Sequence, residues 1–124
     1  MKTAIIILSD PKHGGEEAFG RAFNGLASAY DFKQKGDDVT ILFQGTGTRW
    51  PAELSRSKNP AHELFEAVKD KVAGVSCGCA DAFGATEDAE KSGCDLVKDN
   101  PVPNTGGMAS LQRLRSEGYT VMTF

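Results

Sequence analysis

Val72-Ala73-Gly74-Val75-Ser76-Cys77-Gly78-Cys79-Ala80-Asp81-Ala82-Phe83-Gly84 is the stretch around which this 124-residue chain is organised. Val72, Ala73 and Val75 begin a short apolar run of β type, which reads as a buried strand. Strict alternation along it puts Ala73, Val75 and Cys77 on one face and Val72, Gly74 and Ser76 on the other. The run reaches two cysteines separated by Gly78, and a helix-compatible turn follows before Gly84. The carboxyl end of a strand in an α/β protein opens onto the ligand crevice. The next helix start supplies free N–H groups and partial positive charge, conditions that favour a thiolate. Residue type and placement agree on a thiol site.

The flanking sequence alternates in type. Lys2–Leu8 is apolar without a polar face, as expected of a strand covered on both sides. A Gly-rich loop with His13, Gly14 and Gly15 leads to a helix from Glu16 to Gln34, where Phe19, Ala22, Phe23, Leu26 and Tyr30 recur at helical spacing. Asp38–Phe43 is a second strand. The connection from Gln44 to Asn59, with Gly45-Thr46-Gly47-Thr48-Arg49-Trp50-Pro51, is long for a βα loop, and such length often goes with function. Asn59 and Pro60 make an N-cap and first-turn pair for a helix to Lys71. A short helix from Thr86, a short strand from Cys94 to Val97, a helix from Asn104 or Thr105 to Glu117 and a strand from Tyr119 to Phe124 complete the chain. Strands alternating with helices, without hairpin signals, predict a single α/β domain over residues 1–124. Its parallel sheet would be sandwiched by helices in three layers, α/β/α.

Composition narrows function. The net charge of −3 supplies no basic footprint for nucleic acid. Ala4–Leu8 is far too short to span a bilayer, and no signal-peptide pattern surrounds it. The expectation is a cytoplasmic protein acting neither on nucleic acid nor in a membrane. Three cysteines in a reducing compartment read as free, catalytic or metal-linked thiols rather than a disulfide framework.

Four segments resemble the DsrE/DsrF-like sulfur-relay family: the apolar first strand, Phe43 with the Gly45–Trp50 loop, Cys79 to Gly84, and Glu117 to Phe124. The resemblance spans nearly the whole chain, and the cysteine segment is its most specific part. It implies a five-stranded parallel sheet in the order 4-3-2-1-5 and a homo-oligomer, trimeric or hexameric. It also implies a sulfur carrier that holds a persulfide on Cys79 and exchanges it with donor and acceptor proteins; no cofactor is expected. Cys77 is an additional thiol, and Phe83 stands where many relatives carry a basic side chain.

Each candidate residue has a structural alternative. Cys79 is read as the nucleophile, and otherwise as a small buried hydrophobe. Cys77 either resolves a species formed on Cys79 or ends the strand, and Cys94 reads as the start of a buried strand. His13 would share the sheet edge with the cysteines and could exchange protons there, whereas His62 reads as a solvated helix residue. Arg49 would pair with an anionic sulfur, and Trp50 would either exclude water or anchor its loop. A Cys₃His zinc set from Cys77, Cys79, Cys94 and His13 lacks the usual paired spacing, so no metal is expected. Two competing functions remain: a flavodoxin-like nucleotide or flavin module using Gly14-Gly15 and Gly45–Thr48, and a non-catalytic structural subunit of an oligomer.

Overall fold

The computed structural model describes residues 1–124. Strands β1 (Lys2–Ile7), β2 (Asp38–Phe43), β3 (Val72–Ser76), β4 (Leu96–Val97) and β5 (Thr120–Thr123) form one parallel sheet. Their order is β4-β3-β2-β1-β5, as the resemblance implies. Helices α1 (Gly15–Gln34), α2 (Trp50–Leu54), α3 (His62–Val68), α4 (Cys77–Ala82), α5 (Thr86–Lys91) and α6 (Leu111–Ser116) connect the strands. The two apolar layers are unequal. Ile5, Ile7, Ile41, Phe43 and Val75 face the larger one, packed by α1, α2 and α3 through residues such as Leu26, Leu54 and Phe65. Ala4, Ile6 and Leu42 face the smaller, closed by Ala109 and Leu114. Burying a side chain such as Ile5 contributes roughly 1.5–3 kcal/mol.

Strand β3 departs from strict alternation. Ile41 pairs with Val72 and the next residue, Leu42, pairs with Gly74, so Ala73 is an extra residue in a β-bulge. A bulge moves the following residues to the opposite faces. Val72 and Val75 therefore pack against the same large layer, while the buried Ser76 bonds across to Ala109 in the smaller one.

The long connection after β2 is folded, not open. Gly45–Arg49 is a 3-10 turn in which the Thr48 hydroxyl donates to the Gly45 carbonyl at 2.8 Å, and α2 follows directly. The next helix begins at His62, later than Pro60. The Asn59 carboxamide oxygen takes the Ala61 N–H (2.8 Å) in a turn of its own, and its carbonyl takes that of His62 (2.9 Å). His62 is half-buried, not solvated; its Nδ1–H donates to the Leu54 carbonyl at 2.8 Å. The last helix begins at Leu111, where the Ser110 hydroxyl accepts the Arg113 N–H at 3.1 Å. Residues 101–109 run instead as a strap along the sheet edge, with Asn100 and Met108 paired through two 2.7 Å backbone bonds. Cys94 precedes β4, partly buried against the large layer.

Two glycines allow a test of these contacts. A side chain at Gly47 would collide with the Ile7 backbone carbonyl, whereas one at Gly20, inside α1, meets open space. Gly47→Ala should lower stability by about 1–3 kcal/mol, and Gly20→Ala should raise it by about 0.5–1 kcal/mol, both read from urea unfolding midpoints.

Candidate functional site

Helix α4 follows β3 without a loop, so its first turn carries both thiols of the C-x-C segment at the carboxyl edge of the sheet. Both are buried, Cys77 to 7% and Cys79 to 9% residual exposure. The amides of this turn are not all free, because the Gly78 N–H donates to the Gly107 carbonyl of the strap at 2.8 Å. The Ser76 side chain does not cap the helix; its oxygen accepts the buried Ala109 N–H at 3.0 Å and so ties the strap to β3. Gly107 can take this path because its φ of 106° belongs to glycine. A side chain at neighbouring Gly106 would stand 3.6 Å from the Cys77 sulfur.

The two thiols occupy different surroundings. Helical residues two apart do not face one another, so a Cys77–Cys79 disulfide would require α4 to unwind. Cys77 lies one turn before Asp81, with its sulfur 3.9 Å from Oδ2, and the other Asp81 oxygen accepts the Thr86 hydroxyl at 2.6 Å. Asp81, Asn104, Thr105 and Gly106 line a hollow of about 440 Å³ beside this sulfur. Cys79 lies one turn before Phe83 and shares its flank of the helix.

Arg49 reaches Phe83. Its Nε and Nη2 donate to the Phe83 carbonyl at 3.4 and 3.3 Å, and its guanidinium carbon stands 5.7 Å from the Phe83 ring centre. Its Nη1 donates to Asp10 at 3.0 Å. The other Asp10 oxygen meets Nδ1 of the exposed His13 at 3.1 Å. His13 and Arg49 are thus joined through a carboxylate that the sequence pattern did not single out. Partial burial pushes the Asp10 carboxyl upward, but the Lys12 amide, Arg49 and His13 together outweigh it and hold the group below its ordinary value. Trp50 is an anchor: its buried indole N–H donates to the Ser9 carbonyl at 2.8 Å, and its ring packs near Phe19.

No three His, Cys, Asp or Glu side chains gather into a metal-binding group. Burial raises the Cys94 thiol above its ordinary value. In the Gly45–Thr48 turn, the Thr46 and Thr48 hydroxyls donate to the carbonyls of Leu8 and Gly45. No helix is long and apolar enough to cross a membrane. Of the residues that sequence reading left out, Asp10 and Asp81 were signalled by position alone, one just past the first strand and one a helical turn beyond Cys77.

Ser76→Ala should cost about 1–3 kcal/mol by orphaning the Ala109 N–H, and should speed Cys77 alkylation as the strap loosens. The Asp10 clasp has an acid limit. A folded-state value below the unfolded one stabilises above about pH 4 and is lost as pH falls through the depressed value. Urea midpoints should therefore fall less steeply between neutral and acid pH in Asp10→Asn than in the unsubstituted protein.

Comparison with known proteins agrees with this architecture. The model of the DsrE/DsrF-like family matches residues 1–124. The uncharacterized protein MJ0733 of Methanocaldococcus jannaschii is 30% identical over 123 residues, covering 98% of this chain and 94% of that protein. The crystal structure of the ychN protein from E. coli superposes with a TM-score of 0.54 at 17% identity, covering all of both chains, a likeness of fold. The family model matches the whole chain, and the strand order agrees with it: the chain belongs to the DsrE/DsrF-like family.

Proposed function

We propose that this protein is a sulfur carrier in which Cys79 forms a persulfide and passes its outer sulfur to a partner protein. The observation that carries this reading is the placement of Cys79 in the first turn after β3, one helical turn before Phe83, whose carbonyl and ring Arg49 meets. Family membership supports it, sulfur relay being the family's general association. In the loading step the Cys79 thiolate attacks the outer sulfur of a donor persulfide, R–S–SH. A new S–S bond forms at Cys79, the donor's S–S bond breaks, and the donor leaves as its thiolate. Transfer to an acceptor thiolate repeats the exchange in reverse, without net oxidation. A guanidinium brought to the reacting sulfur would favour the anionic species on both sides of each step.

Cys77 is the weaker candidate for carrier. The Asp81 carboxylate accepts from its S–H and would face any negative charge placed on that sulfur. A homo-oligomer of three or six chains belongs to the same proposal, with donor and acceptor proteins meeting the carboxyl edge of the sheet. The burial of both thiols favours a second reading, a structural subunit whose cysteines do not react.

Incubation with a small persulfide donor, followed by intact-mass and peptide analysis, separates these readings. One added sulfur should appear on Cys79, persist in Cys77→Ser and vanish in Cys79→Ser. Normal loading of Cys79→Ser would sink the assignment, and thiols inert in the native protein would favour the structural subunit.

A further inference from the structure

We propose that Asp10 is a positioning residue for the Cys79 site, acting through Arg49; this rests on the reading of Cys79 as the carrier. Asp10 stands just beyond β1, and its carboxylate collects the Lys12 N–H (2.9 Å), Arg49 Nη1 (3.0 Å) and His13 Nδ1 (3.1 Å). Its own carbonyl takes the Gly14 N–H at 3.0 Å, so the loop after β1 is wound about this one residue. The Asp10 and Arg49 side chains keep only 18% and 22% exposure, so water screens this ion pair less than a surface pair.

Arg49 has alternatives. It lines a hollow of about 380 Å³ together with Lys12, Phe83 and two further acids, Glu53 and Asp88. A long, flexible cation in that setting takes whichever carboxylate is best placed. Asp10 decides the choice, and the chosen position is the one in which Arg49 also bonds the Phe83 carbonyl. Three of the five guanidinium N–H groups are then engaged. Two remain for an anionic sulfur on Cys79 or on an incoming donor. Without Asp10, Arg49 is free to turn to Glu53 or Asp88, and the Cys79 flank loses its cation.

The test is a double-mutant cycle on the full chain. Second-order rates of alkylation by iodoacetamide are measured at each cysteine at neutral pH by peptide mass spectrometry. The variants are Asp10→Asn, Arg49→Gln, the double substitution and Asp10→Glu. Each single substitution should slow Cys79 by about three- to tenfold. The double variant should be no slower than Arg49→Gln alone, and Asp10→Glu should recover most of the rate. A merely structural role for Asp10 would loosen the fold and speed all three cysteines together, which would overturn the proposal, as would additive losses in the cycle. A reactive Cys79 indifferent to Asp10→Asn overturns this inference alone. A Cys79 that alkylates only after denaturation overturns the carrier reading and this inference with it.

Discussion

The double burial of β1 is the constraint on which the structure depends. It is paired along both edges, with β2 and with β5, and both of its faces are covered, so Ala4 through Ile7 are wholly inaccessible. The middle of a strand in that position is apolar on both faces, and the helices must divide between two layers. The division is unequal because α1 is long, whereas the smaller layer is closed by the six-residue α6 and the end of the strap. The site inherits its place from this arrangement. The segments after β1, β2 and β3 emerge side by side at one edge of the sheet, where Asp10, Arg49 and the thiol turn meet.

At that edge, polar bonds rather than apolar contact decide the detail. Arg49 links the β2 turn to the end of α4 and to the β1 loop, and Trp50 links the same turn to Ser9. These contacts join the connections that follow three different strands. The two thiols, two positions apart in sequence, consequently belong to different neighbourhoods. One faces a carboxylate and the strap, and the other lies one helical turn before the residue that Arg49 holds.

Much of the fold was legible because apolar content and punctuation agree in the first half of the chain. Strand β2 and helix α1 follow directly from hydrophobic runs bounded by turn residues, and the sheet order followed from the family resemblance. Three features were not legible, each for a physical reason. The bulge at Ala73–Gly74 slips the alternation by one residue without changing the apolar composition of the run. The start of α6 was read at Asn104 or Thr105, but the structure caps it with Ser110. Ser110 prevails where its own N–H is held by the Asp99 carboxylate and the preceding residues are committed to the strap. The role of Arg49 depended on a partner 39 positions away, which no local pattern encodes.

The strap also bears on the order of assembly. The bonds from Ser76 to Ala109 and from Gly78 to Gly107 span about thirty residues of chain. Contacts of that separation carry a larger loop-closure cost than local turns, and form only once that cost is met. Strand β3 and the thiol turn can be made with the first two-thirds of the chain, but Cys77 is roofed only when the segment beyond β4 has come back over it. In a chain made from its amino end, Cys77 therefore has no cover until the segment beyond β4 has been made and has folded back.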